Sequence, residues 1–270
     1  MLAAFADIVG CLIVTVMHYQ KIPDVFSAIF KYALGADALK GGATGTAIQL
    51  AINTIQSGCK RGIFSNEAGL GTSVIVHCNT CAREPVKQGL WGMAEVFLDT
   101  IVICTMTAMV VLSSDAVDLT TGLVLPGVSD ATLVSKAFGA SFGRPGEWFA
   151  VMSLTLFAFS TFIGWSYYGA KVTEYLLGVR IARIYRIVFV AIIIWGSVTE
   201  SSLAWEISDT FNGLMMIPNL IGVITLSPLI IKLTKNYVDR RIRGKDIEPI
   251  LSFDPDIQID AVKAINKGAY

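Results

Sequence analysis

Residues 41–82 read GGATGTAIQLAINTIQSGCKRGIFSNEAGLGTSVIVHCNTCA. As one continuous helix this stretch would be about 60 Å long at 1.5 Å per residue, twice the hydrocarbon core of a bilayer. Something must break it, and the middle supplies the means: Gly58, Gly62, Gly69 and Gly71, with Ser65 and Asn66 between them. Glycine tolerates non-helical backbone, and Ser or Asn caps a new helix start. One reading therefore places a helix at 43–57, a non-helical passage near 58–65 and a second half-helix from about 66 to 82. Unpaired backbone groups in such a break cannot face lipid, so they line a polar cavity. A half-helix starting at Ser65 and Asn66 aims free N–H groups and a positive dipole end at a carboxylate. Carbonyls released at 57–62 suit a cation or an ammonium group. A second reading makes 41–58 a complete crossing and SNEAG a capped cytoplasmic turn before an interfacial helix. Lys60 and Arg61 favour it, because basic residues belong at the inner membrane surface. On the residues alone the two readings are level.

The surrounding chain decides the solvent. Of 270 residues, 54% are hydrophobic and 16% charged, against about 25% charged in a soluble domain. Mean hydropathy is +0.62. Segments 2–19, 89–113, 147–170, 184–199 and 207–231 each approach the roughly 20 apolar residues that a spanning helix needs. The expectation is an all-α, polytopic membrane helix bundle. Segment 1–17 lacks a basic leader and a small-residue cleavage site, so it reads as a span and not as a signal peptide. Between 20 and 40, PDVFSAIFKYALGADALK suits the interface better than the interior. A net charge of zero gives no attraction to a polyanion, so nucleic acid is not an expected partner.

Basic residues then orient the bundle. Loop 171–183 holds Lys171, Arg180 and Arg183, with Arg186 just beyond, and loop 83–88 holds Arg83 and Lys87. Lys232, Lys235, Arg240, Arg241, Arg243 and Lys245 follow the last apolar segment, whereas 200–209 carries Glu200, Glu206, Asp209 and no base. Lys21, Lys31 and Lys40 run against the pattern without reversing it. Residues 1–232 are thus expected as the transmembrane region and 233–270 as a partly disordered cytoplasmic tail. Six crossings put the amino terminus inside as well.

Few residues carry chemistry. Five cysteines include one C-x-x-C, Cys78 and Cys81, without a second pair, so small residues packing a membrane helix explain them best. Two histidines, His18 and His77, assemble neither a triad nor a zinc set, which argues against an enzyme and against a cofactor. Glu95 and Asp99 share a helix face at four-residue spacing and should look into the protein, for proton or cation handling or for pairing with a base. Ser160 and Thr161 are adjacent hydroxyls in an apolar span; on the residues alone, bonding back to the preceding turn is the better reading. Phe162 and Trp165 either wall a cavity or pack. Asn66 caps a helix or contacts a ligand. Glu67 complements a helix dipole, with Arg61 near enough in sequence to neutralise it.

KRGIFSNEAGLGTS at 60–73 resembles the signature of the alanine/glycine:cation symporters, which carry a closely similar KRG-(L/I)-FSNEAG-x-GS run. EPVKQGLWGMAEVFLDTIVICTMTA (84–108), FAFSTFIGWSYYGAKVTEYL (157–176) and FNGLMMIPNLIGVITLS (211–227) are similar to later helices of that family, in family order. The resemblance covers nearly all of 1–235. It implies a LeuT-type fold of the APC superfamily, with two inverted repeats of five helices and binding sites where the first helix of each repeat is broken. This chain would supply the fifth core helix (2–19) and the second repeat with its one discontinuous helix. It would lack the first four core helices and an additional amino-terminal one. The resemblance favours the broken reading of 41–82. It implies Ser65, Asn66, Glu67, Gly69 and Gly71, with Phe162 and Trp165, as substrate-binding residues, and Ser160 and Thr161 as sodium ligands. Na+ would be the coupling ion, with H+ the alternative. The implied activity is symport of alanine or glycine across the plasma membrane, incomplete in this chain for want of half of each site. The alternative is a truncated, non-transporting fragment that needs a partner chain carrying the missing N-terminal half.

Overall fold

A computed structural model describes residues 2–34, 44–119, 124–129 and 132–266. Among them there is no strand beyond one isolated bridge, Val117 to Val124. The helices are α1 (Leu2–Met17), α2 (Ile22–Leu34), α3 (Thr44–Asn66), α4 (Val74–His77), α5 (Pro85–Ser113), α6 (Leu133–Phe142), α7 (Arg144–Leu177), α8 (Val179–Ser197), α9 (Ser201–Arg241) and α10 (Pro255–Asn266). Within α5, Leu98–Ile103 forms a π-helical turn.

Length and composition mark α5, α7 and α9, of 29, 34 and 41 residues, as candidate membrane spans. A fourth exists if α1 and α2, bent by 75° at the His18 break, count as one. That bend is where the amphipathic stretch was expected to leave the first span. α8 carries Arg180, Arg183 and Arg186 in its first turns, so its charge-free part is 187–197. At 1.5 Å per residue that covers about half of a bilayer core, short of the crossing expected at 184–199.

The chain forms two compact units, residues 1–65 with 98–197, and residues 66–97 with 198–270. In the first, Cys11, Val14, Val110, Ala137, Phe138 and Ala150 make a buried cluster, with Met106, Val111, Val134 and Phe149 packed on it. α6 and α7 touch backbone to backbone where Gly146 meets the Phe138 carbonyl, and Gly169 of α7 leaves room for the Tyr185 ring of α8. Small residues at helix crossings are the membrane solution to close packing. α7 and α8 are separated by Gly178 alone, whose φ of +84 reverses the chain in one residue.

In the second unit α9 is the spine. It passes residue 232 and stays helical to Arg241, and the segment after it folds back. The buried Asn236 donates to the Glu248 carbonyl at 2.9 Å and accepts from the Ile250 N–H at 3.0 Å. Gln258 of α10 accepts from the N–H groups of Leu251 and Ser252. In the segment expected as a partly disordered tail, one asparagine thus satisfies two backbone groups of the returning chain. Glu84, at the start of α5, accepts hydrogen bonds from Arg240 and from both Nε and Nη2 of Arg241, the latter two at 3.1 and 2.8 Å.

The break in 41–82 lies later than the glycine spacing suggested. α3 runs without interruption through Gly58, Gly62 and Ser65 to Asn66. A helix tolerates an isolated glycine at about 1 kcal/mol, and at Gly58 and Gly62 a side chain would meet nothing within 4 Å. The chain leaves the helix only at Glu67, whose φ is +51, and Gly69 and Gly71 follow at +81 and +79. The half-helix expected from 66 to 82 is reduced to the four residues of α4.

Candidate functional site

The residues from Glu67 to Thr72 fold into a tight turn within the second unit. Left-handed backbone at a non-glycine residue costs about 1–2 kcal/mol, and here Glu67 bears it. The Thr72 hydroxyl donates to the Glu67 carboxylate at 2.6 Å, and the Leu70 N–H donates to the Glu67 carbonyl at 3.1 Å. Leu70 and Thr72 are buried. Thr72, five residues on, is thus a partner of the Glu67 carboxylate that the sequence reading did not name.

α9 closes over the turn from 150 residues away. Asn219 donates from Nδ2 to the Gly69 carbonyl at 2.9 Å. Met216 lies one turn back, 3.5 Å from where a Gly69 side chain would begin, and a Cβ on Gly71 would stand 2.6 Å from Asn219 Oδ1. Asn212, Met216 and Asn219 fall at i, i+4 and i+7, one helix face. Depth follows from charge. Asp209 and Lys232 bracket a charge-free stretch, 210–231, which is 22 residues or about 33 Å of helix, the thickness of a bilayer core. Asn219 sits within a few ångströms of its centre, and Pro218 beside it has no N–H to return to the Leu214 carbonyl.

The remaining expected residues fall elsewhere. Ser65 is exposed on α3 and donates to the Asp99 carboxylate at 2.5 Å, inside the π-helical turn of α5 and within the first unit. π-turns inside α-helices frequently mark functional sites. Asn66, half-buried, is the last residue of α3 and so stands at its carbonyl end, not at the amide end expected from the sequence. Glu95 belongs to the second unit and faces His77, Oε2 to Nε2 at 3.6 Å, while Gln88 bonds His77 Nδ1 at 2.8 Å. Glu95 and Asp99 thus take different partners.

Ser160, Thr161 and Phe162 are exposed on α7 in the first unit, and Thr161 donates to the Phe157 carbonyl at 2.9 Å. Back-bonding uses the hydroxyl proton and leaves lone pairs on the oxygen. Phe162 lines a groove of about 370 Å³ between α7 and α8, together with Tyr167, Arg186 and Phe189. Trp165 packs edge-on against Tyr168, ring centroids 6.1 Å apart. Among the described residues no group of three or more His, Cys, Asp or Glu side chains could hold a metal ion.

Sequence reasoning missed Thr72 and Asn219. The signal for Asn219 was present: a carboxamide next to a proline in a stretch without charge is costly unless bonded.

Residues 1–250 match the sodium:alanine symporter family. An uncharacterized transporter of Haemophilus influenzae is 40% identical over 230 residues, 85% of this chain and 48% of that protein. The sodium/alanine symporter AgcS of Methanococcus maripaludis is 39% identical over 244 residues, 89% of this chain and 50% of its own length. The probable sodium/glutamine symporter GlnT of Bacillus subtilis is 36% identical over 230 residues, 85% and 45% of the respective chains. The chain spans about half the length of the curated relatives it matches.

Proposed function

The chain belongs to the sodium:alanine symporter family, a family of transporters and not of enzymes, and from that premise we propose that it forms the second half of a LeuT-type sodium-coupled symporter. Its substrate is a small neutral amino acid, alanine or glycine, carried across the plasma membrane. The observation that carries this reading is the left-handed turn at Glu67–Gly71, tied to the middle of the charge-free stretch of α9. Irregular backbone at that depth is tolerated only beside protein or a water-filled cavity. The turn begins in sequence where α3 ends, and the last carbonyls of a helix favour an ammonium group or a cation. α3 and α4 together make the discontinuous helix of the second repeat, with α1 the helix that precedes it. Ser65, Asn66, Glu67, Gly69 and Gly71, with Phe162 and Trp165, are assigned to the substrate. Asp99, held by Ser65, and Glu95 are assigned to proton or cation handling. The tail after α9 lies in the cytoplasm, where its basic residues belong.

A second half needs a first. The most apolar windows of α5, α7 and α9 are 22%, 11% and 0% buried within this chain, and in this reading lipid and the helices of the first half cover them. The test is uptake of labelled alanine by cells expressing this chain with and without an N-terminal half from the family. Sodium-dependent uptake is expected only when both halves are present. Uptake by this chain alone, or uptake indifferent to sodium, overturns the proposal.

Sodium prefers oxygen ligands, and Ser160 and Thr161 present two side by side with lone pairs to spare. In the two-half assembly, replacing both with alanine is expected to raise the sodium concentration for half-maximal uptake about tenfold, the loss of roughly 1.4 kcal/mol of ion binding. An unchanged sodium titration removes them from the ion site.

A further inference from the structure

We propose that Asn219 is a positioning residue of the transport site, setting the shape of the Glu67–Gly71 turn through the Gly69 carbonyl. The proposal rests on the reading of that turn as the place where substrate binds. Four observations converge on it. The carboxamide nitrogen donates to the Gly69 carbonyl at 2.9 Å, fixing the peptide that follows left-handed Gly69 and lies one residue before left-handed Gly71. The carboxamide oxygen lies so close to Gly71 that any side chain there would start 2.6 Å from it, so the turn and Asn219 are shaped to each other. Asn219 sits near the centre of the charge-free stretch 210–231, where an unbonded carboxamide is costly and a bonded one is held firmly. Pro218 precedes it inside the helix, which makes this level of α9 a place where the axis can bend.

The consequence is a mechanical link. A bend of α9 at Pro218 moves the Asn219 carboxamide, and the carboxamide carries the Gly69 peptide with it. Backbone groups between Glu67 and Thr72 then change direction together. The residue touches the backbone of the site and not the transported molecule, so its effect is on how well the turn is preset for binding.

Asn219→Asp keeps the shape and places an oxygen where the donor was, so it removes the hydrogen bond without opening a cavity. In the two-half assembly, Asn219→Asp and Asn219→Ala are expected to raise KM for alanine at least tenfold while the maximal rate per transporter in the membrane changes less than threefold. A residue that only supported folding would lower the amount of transporter and leave KM unchanged, and that result overturns the proposal. A second measurement does not depend on transport. Amide hydrogen exchange of the detergent-solubilised chain should quicken in a peptide covering 66–73 on Asn219→Asp, and stay as in the parent for 245–258. If exchange at 66–73 is unmoved, the positioning role is refuted. If it quickens in a protein that takes up no alanine, the positioning role stands and the assignment of substrate falls.

Discussion

In the proposed two-half assembly, Gly71→Ala is expected to abolish sodium-driven alanine uptake, to below about one hundredth of the parent rate, while Gly58→Ala and Gly62→Ala leave it within a factor of two. The three glycines belong to one conspicuous cluster in the sequence, yet the structure separates them. At Gly71 the backbone has φ +79, which costs an alanine about 1–2 kcal/mol. Its Cβ would stand 2.6 Å from Oδ1 and 3.1 Å from Cγ of Asn219, so that side chain must withdraw from the Gly69 carbonyl. Leaving the half-buried Gly69 carbonyl without its donor costs about 1–3 kcal/mol more. The sum, about 3 kcal/mol, corresponds to roughly a hundredfold in rate or affinity. Gly58 and Gly62 are helical, with nothing within 4 Å of an added methyl, so alanine there gains up to about 1 kcal/mol of helix propensity. Uptake normalised to transporter at the cell surface decides between them. Had the break lain at 58–65, the order would be reversed.

That contrast shows what kind of information the residues carried. An all-helical membrane chain was legible from composition and from the spacing of charge, because the bilayer core imposes both. The presence of a break in 41–82 was legible from its length and its glycines together; length alone does not force one, since α9 runs 41 residues unbroken. Its place was not. Gly58 and Gly69 look alike in a sequence, and only the residue facing each decides which one turns the chain. For Gly69 and Gly71 that residue is Asn219, 150 positions beyond Gly69. Glu67 was assigned to a helix start by its type, whereas it takes up left-handed backbone after a helix end and is held by Thr72. Thr161 was read both ways, and its bond to Phe157 is the one that local geometry always offers. The fold-back after α9 was hidden for a similar reason: Asn236 and Gln258 read as solvated polar residues until the backbone groups they satisfy, the Glu248 carbonyl among them, are known.

Glu84→Ala lowers the melting temperature of the detergent-solubilised chain by roughly 10 °C, the largest stability loss expected from any single polar change in the second unit. Glu84 and Arg240 have side chains only 9% and 12% exposed, and they face each other with Asn236 completing the contact to Arg240 Nε at 2.9 Å. Removing one member of a buried ion pair leaves its partner uncompensated, which costs about 3–5 kcal/mol, and each kcal/mol is worth about 2–4 °C in a domain of this size. Arg241 also reaches Glu84, but its side chain is 62% exposed, so water can replace the contact and Arg241→Ala should shift the melt by no more than about 2 °C. Burial pushes the Glu84 carboxyl upward, and the hydrogen bonds from Arg240 and Arg241 outweigh it, so that the group titrates below its ordinary value of 4.5. A carboxyl whose folded value is depressed contributes stability above its unfolded value and loses it as pH falls through the folded one. The parent should therefore melt at progressively lower temperature as the solution is taken below pH 4.5. Glu84→Gln keeps the shape and cannot titrate, so its melting curve should lack that part of the slope. Equal acid slopes in the two proteins would mean that the carboxylate is not charged in the fold, and that the junction of α5 with the end of α9 is held by packing alone.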